Sequence, residues 1–251
     1  MSPVQLRTQR LCKRFGGLAA VSDISIEVRP REIHAFIGPN GAGKSTLINL
    51  LSGELKPTSG GIYINDRETT NCSASQVSQA GIGRTYQKTN IFLPFTVFEN
   101  ARLAAQSRLP TSMRFVRDAS RYEHLNEGAR AALSAVGLSH CANRIASKLS
   151  HGEQRQLEIA MCLATAPSLL LLDEPFAGMG ADESGLMVEL LKSLARDHGI
   201  LLVEHDMDAV FQLADRVTVL VNGQLLESGT PSDIRNSAAV HSAYLGTDDH
   251  A

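Results

Sequence analysis

Ile33-His34-Ala35-Phe36-Ile37-Gly38-Pro39-Asn40-Gly41-Ala42-Gly43-Lys44-Ser45-Thr46-Leu47-Ile48 is the stretch that decides the fold. An apolar run stops at Ile37, a glycine-rich loop follows, and Lys44 to Leu51 has the pattern of a helix. A loop that wraps a phosphate must turn consecutive backbone N–H groups inward. Gly38, Gly41 and Gly43, with Pro39, Asn40 and Ala42 between them, permit that approach. The helix then aims its positive end at the anion. Lys44 can bridge terminal phosphates and the Ser45 hydroxyl can ligate Mg²⁺, with Thr46 beside them as a further binding candidate. The octet Gly38 to Ser45 fits the Walker A pattern G-x-x-x-x-G-K-[ST]. A glycine-rich turn without a ligand would not need Lys-Ser at this offset.

The chain has 251 residues, 43% of them hydrophobic and 20% charged, which suits a globular domain and excludes a disordered tail or a disulfide knot. Its 24 basic and 26 acidic residues nearly balance, so no basic surface points to nucleic acid. No run approaches the roughly 18 apolar residues of a membrane span, and the amino end lacks a secretory leader. Cys12, Cys72, Cys141 and Cys162 are dispersed and read as reduced, small hydrophobes. These features predict a cytoplasmic protein.

Outward from the loop, two kinds of strand are expected. Ile24, Ile26 and Val28, then Ile33, Ala35 and Ile37, then Ile62 to Ile64 alternate, which suggests antiparallel strands with one wet face. Leu169 to Leu172, Ile200 to Val203 and Val217 to Val221 are continuous aliphatic runs, preceded by helical patterns at Glu153 to Ala164, Ser184 to Ala195 and Met207 to Ala214. Those argue for a parallel sheet covered on both faces. Asn222-Gly223 signals a hairpin. From about Phe98 to Leu149 the strand runs stop and helical spacing takes over. The division expected is an ATP-binding core with an antiparallel β subdomain over 1–90, an inserted helical subdomain over 91–150, the rest of the core over 151–235, and a short tail over 236–251. Six arginines against three acidic residues between Arg102 and Arg130 read most simply as a solvated helix face.

Leu169 to Leu172 deliver Asp173 and Glu174 to the carboxyl end of a buried strand, where ligands sit in open parallel sheets. Asp173 would hold the Mg²⁺ shell and Glu174 could take a proton from an attacking water. A GTPase would want Asn-Lys-x-Asp, which is absent.

Leu149-Ser150-His151-Gly152-Glu153-Gln154-Arg155, ahead of Asp173, resembles the signature of the ATP-binding cassette (ABC) family, commonly Leu-Ser-Gly-Gly-Gln. The resemblance spans nearly the whole chain. It implies an α/β P-loop NTPase fold with a mixed parallel core sheet. It also implies that Phe15 stacks on adenine, that Gln87 is the Q-loop glutamine, sensing and coupling at the Mg²⁺ and the attacking water, and that His205 is the switch histidine. Ser150, His151, Gly152 and Glu153 would close over ATP held by a second ABC subunit, identical or different, because a serine and glycine at a helix start can bind the γ-phosphate through N–H groups and hydroxyl. His151 and Glu153 depart from the commoner residues, and Ala177 to Gly180 lack the usual D-loop acid or amide.

A lone cassette looks like the separate ATPase of a transporter, peripheral on the inner face of the plasma membrane, working with integral permease subunits and, indirectly, a solute-binding protein. Phe15-Gly16-Gly17, Met113-Arg114-Phe115, Gly152 to Arg155, Leu157 to Ala160 and Ala243-Tyr244-Leu245-Gly246 resemble the ATPases that import branched-chain amino acids, with Leu-Ser-His-Gly leaning toward the urea and short-amide branch. The rival is the lipopolysaccharide-export ATPase, which shares Asp-Glu-Pro-Phe-Ala-Gly; a regulatory cassette and a nucleic-acid ATPase are the further alternatives. Phe92, Phe95 and Phe98 crowd beside the Q-loop, and a partly exposed aromatic groove there would suit docking of a permease helix.

Overall fold

The structure, a computed structural model, describes residues 5–87, 90–108 and 123–245. Met113-Arg114-Phe115 and Gly246 lie outside the described residues.

Two sheets organise the chain. The first is antiparallel, with β2 (Leu18–Ile24), β1 (Leu6–Phe15), β5 (Ser59–Ile64) and β6 (Arg67–Glu68) in that order and the short β3 (Glu27–Val28) also pairing with β1. The second has the order β11 (Gln224–Gly229), β10 (Arg216–Val221), β4 (Ile33–Ile37), β9 (Gly199–Val203), β8 (Leu169–Asp173), β7 (Ile82–Arg84). It is parallel except for the β10–β11 hairpin. Asn222 and Gly223 both have positive φ at that turn, as the Asn-Gly signal requires.

The alternation of side chains splits the parallel sheet between two cores. Ile33, Ala35, Ile37, Leu170, Leu172, Ile200, Leu202, Val217 and Val219 face a layer built from α5 (His151–Ala164), α6 (Ala181–Leu194) and α7 (Met207–Leu213). Phe36, Leu169, Leu171, Leu201, Val203 and Leu220 face α1 (Lys44–Leu51) and the antiparallel sheet. Every residue of β4, β8 and β9 is buried. Both faces are covered, which is the condition under which a parallel sheet is stable. On the first side, α3 (Val97–Gln106) and α4 (Glu123–Ala135) pack on α5. The remaining helices are α2 (Ala74–Gln79), α8 (Pro231–Arg235) and α9 (Ala238–Leu245). No helix among the described residues is long and apolar enough to cross a membrane.

Two expectations are corrected. Ile33 to Ile37 is the central parallel strand, not an antiparallel one with a wet face. Its polar position, His34, is fully buried: Nε2 lies 2.8 Å from Thr218 Oγ1 and the ring stacks on Phe36. One buried histidine, bonded to Thr218 through Nε2, thus produced the alternation. Of the run Ile24 to Val28, Ile24 closes β2 and Glu27–Val28 makes β3, while the ten-residue β1 carries no alternation in sequence. A bulge shifts its register between Gln9 and Cys12, with Arg10 at φ 47°, so the inward phase changes midway.

Burial, with Arg216 adding to it, depresses the His34 pKa to about 3. The unfolded chain takes up this proton below its ordinary value near 6.5, whereas the folded chain stays neutral down to about 3. Stability should therefore fall with pH between those values by about 1.4 kcal/mol per pH unit from this residue alone. His34→Gln should cost stability at pH 7 yet flatten the slope by about 1 kcal/mol per unit between pH 4 and 6 in urea titrations. An unchanged slope would count against a neutral buried His34.

Candidate active site

The parallel strands β4, β8 and β9 end side by side, in register Phe36–Val203 and Asp173–Val203, so the loops after them converge. The loop from β4 has Gly38, Gly41 and Gly43 at positive φ. A Cβ at Gly43 would collide with the Ala20 carbonyl oxygen, and one at Gly38 with that of Leu220. Gly43 caps α1 without a side-chain hydrogen bond, and the first turn carries no acid. The amides at this helix start are therefore available to an anion. Lys44 Nζ folds back to donate to the Gly38 and Pro39 carbonyls at 2.5 and 3.1 Å. Burial lowers its pKa, against the opposing pull of Glu174, Asp173 and Glu204. Ser45 is exposed and Thr46 half-buried.

Asp173 closes β8, and its backbone N–H donates to Thr85 Oγ1 at 3.3 Å. Its carboxyl pKa is raised by burial, with Arg84 opposing; that guanidinium stands 3.7 Å away, beyond hydrogen-bond reach. Arg84 is itself tied to Ser52 and Asn49 on and after α1 at 2.5 and 2.6 Å. A buried carboxylate with its cation held at a distance, an exposed hydroxyl at Ser45 and an amide oxygen at Gln87 form a set of hard oxygen donors, which fits Mg²⁺.

Glu174 adopts φ 50°, an uncommon value for a side chain of its size. The left-handed turn, fixed by Glu174 N donating to Val203 O at 2.9 Å, breaks the strand's alternation at the residue after Asp173. Gln87 Nε2 donates to Glu174 Oε2 at 3.1 Å, and His205 Nδ1 lies 3.8 Å from Oε1. Glu174, Gln87 and His205 are thus brought together.

Two participants were not assigned from sequence. Glu204, 1% exposed, accepts from Phe176 N and His205 N at 3.0 Å each, so one carboxylate fixes the chain after both strand ends. Its pKa is raised by burial, against the amides it accepts. Arg84 is the other. Glu204 precedes His205 and Arg84 lies three residues before Gln87, but only their tertiary neighbours reveal their work.

The signature residues are placed elsewhere. Ser150 caps α5, accepting Glu153 N at 3.2 Å while Glu153 Oε2 accepts Ser150 N at 2.8 Å. Glu153, at a position that is commonly glutamine in the resembled family, completes this capping box and pairs with Arg144 at 3.3 Å. His151 is exposed, and Gly152 lies against the Glu183 carboxylate, which a Cβ there would push aside. Gly180, the D-loop departure, is the N-cap of α6. Among the described residues no hydrogen bond or ion pair links Ser150, His151, Gly152 or Glu153 to the 38–46 loop. Phe15 is about half exposed at the end of β1, on the hairpin whose returning strand β2 abuts Gly43 through Ala20.

The aromatic cluster divides. Phe92 and Phe95 stack at 5.4 Å and are roughly half exposed beside Leu93 and Ile145. Phe98 instead packs against the core between the guanidiniums of Arg102 and Arg130. As the second residue of α3, it lies apart from the exposed pair, with its ring at Arg102 and Arg130.

Gly43→Ala, strained and blocked by Ala20 O, should lose about 2 kcal/mol or more. Gly41→Ala, strained in open space, should lose about 1 kcal/mol. Equal losses in chemical denaturation would contradict the close approach at Gly43.

The model of the family described as ABC transporter matches residues 21–177. A high-affinity branched-chain amino acid transport ATP-binding protein of Salmonella typhimurium is 43% identical, with 98% of this chain and 99% of the relative covered. A protein of the same description from Pseudomonas aeruginosa is 38% identical over the same shares. Among solved structures, an ATP-binding cassette of an ABC transporter in its ADP conformation superposes with a TM-score of 0.86 at 29% identity, covering 97% of this chain and 99% of that one. A nucleotide-free cassette gives 0.84 at 30%, covering 96% and 98%. With its phosphate loop, paired carboxylates and signature helix in these positions, the chain belongs to the ABC transporter family.

Proposed function

We propose that this chain is the ATP-hydrolysing subunit of a membrane importer for branched-chain or other hydrophobic amino acids, urea or short amides. The carrying observation is the convergence of the Gly38–Lys44 loop, Asp173, Glu174, Gln87 and His205 at one end of the sheet. The descriptions of the Salmonella and Pseudomonas relatives support amino-acid import over export.

A triphosphate entering the loop offers Lys44 charged oxygens in place of two neutral carbonyls, while the α1 amides hold its β- and γ-phosphates. Phe15 stacks on adenine. Mg²⁺, carried by Ser45, Asp173 and Gln87, would neutralise charge on the phosphate oxygens. Glu174 accepts the proton of the water that attacks the γ-phosphorus as the bond to the β-phosphate oxygen breaks. Gln87 and His205, both against Glu174, keep that carboxylate and the water in line. Such catalysis rests on positioning and charge.

Ser150, His151, Gly152 and Glu153 serve the nucleotide of a second cassette, identical or different. The separation of the signature from this chain's own loop supports that division. The 91–150 insert faces the permease. Asn100, buried, pins Phe92 by bonds to both its N and O, and Ala146 N and Ser147 N hold Phe95 and Leu93, so the exposed rings are presented on a rigid frame. Phe92 and Phe95 are the docking residues, while Phe98 packs against the core apart from them. The protein then sits peripherally at the inner face of the plasma membrane.

Glu174→Gln should bind MgATP as the parent does while kcat falls at least 100-fold. Turnover at the parental rate would remove Glu174 from its role. Phe95→Ala should loosen the permease complex about tenfold in detergent and leave ATP affinity intact. An undiminished complex would move the docking surface elsewhere.

A further inference from the structure

One face of α5 is attached to the segment that carries Gln87. Arg155 Nη1 donates to Tyr86 O and Nη2 to Gln87 O, both at 2.8 Å. Nη1 also pairs with Glu158 Oε2 at 2.8 Å, and Glu158 Oε1 accepts the backbone N–H of Asn90 at 2.6 Å. One helical turn farther, Cys162 Sγ reaches Arg84 O at 2.9 Å. Positions 155, 158 and 162 thus grip four backbone atoms between Arg84 and Asn90. Arg155 and Glu158 are 9% and 5% exposed. A charge pair so buried is a poor source of stability compared with apolar packing, because its desolvation offsets the attraction. What it supplies is direction: a planar guanidinium can serve two adjacent carbonyls and a carboxylate at once, which no apolar side chain and no lysine can.

We propose that Arg155 and Glu158 are positioning residues for hydrolysis, a clamp through which the signature helix sets Gln87 against Glu174. The helix is about 21 Å long. Its first residue follows Ser150, and its clamp lies within two turns of that cap. A nucleotide of the second cassette that pulls on Ser150 moves the backbone at Tyr86, Gln87 and Asn90, and with it the Gln87 amide that bonds Glu174. The inference rests on the proposed roles of Ser150 and Glu174 and adds the part that joins them.

The full-length chain bearing Glu174→Gln, purified with and without MgATP, provides the test by amide hydrogen exchange. MgATP should slow exchange both at the α5 start, residues 150–154, and at Gln87 and Asn90. With Arg155→Lys added, the first protection should persist and the second should fall about tenfold. In the chain with Glu174 intact, Arg155→Lys should lower kcat about tenfold while KM for MgATP stays within twofold. The swap Arg155→Glu with Glu158→Arg should not restore kcat, because an acid at 155 presents acceptors to two carbonyls. Protection at Gln87 and Asn90 that survives Arg155→Lys, or a swap that recovers kcat as a simple ion pair would, overturns the clamp. Absent protection at residues 150–154 before any clamp substitution overturns instead the role given to Ser150. Should Arg155→Lys not fold, Glu158→Gln, which keeps an oxygen for Asn90, should lower kcat severalfold at constant KM; parental kcat there overturns the clamp equally.

Discussion

The structure depends on a close approach of backbone to backbone around the phosphate loop. Gly43 passes directly beneath the Ala20 carbonyl of the antiparallel sheet, and Gly223, in the hairpin at the far edge of the parallel sheet, donates to Ala42 O at 3.0 Å. Ser22 N returns a bond to Gly223 O at 2.7 Å. The loop is therefore held where the two sheets meet. Its inward amides are fixed before any ligand arrives, and fixed donors need no reorganisation when charge develops. Glycine at 38 and 43 is a steric requirement of that closure as well as a means of wrapping an anion.

Around the loop, buried charge is balanced at a distance. Asp173 faces Arg84 across 3.7 Å, Glu204 is neutralised by backbone amides, and Lys44 rests on neutral carbonyls. Burial pushes the carboxyl pKa values of Asp173 and Glu204 upward and that of Lys44 downward, so each charged form is left less than fully solvated. In the function proposed, a magnesium nucleotide would supply opposite charge to Asp173 and Lys44. That exchange would join the architecture of the strand ends to the proposed chemistry.

Placement was legible in the sequence where the pattern is local. The phosphate loop, Asp173-Glu174 after a buried run, the Asn222-Gly223 turn and the Ser150 cap are each written within a few consecutive residues. It was not legible where meaning depends on a distant partner. His34 looked like a wet-face residue because Thr218, which bonds its Nε2, is 184 positions away. The β1 strand was hidden by the bulge at Arg10. Glu204, Arg84, Arg155 and Glu158 have no spacing signal, since their partners come from other strands and helices. Phe98 was grouped with Phe92 and Phe95 by proximity along the chain, but helix geometry turns it toward Arg102 and Arg130.

The central claim is that one hydrolytic site is shared by two chains, one giving the loop and the other the signature. Complementation tests it directly. Lys44→Ala disables the loop and spares the signature; Ser150→Arg does the reverse. Each variant alone should be inactive, and a mixture of the two should regain hydrolysis through mixed dimers that hold one intact site. With a parent chain that hydrolyses ATP by pairing with itself, a mixture as inactive as its parts, or full activity from Ser150→Arg alone, would contradict the shared site.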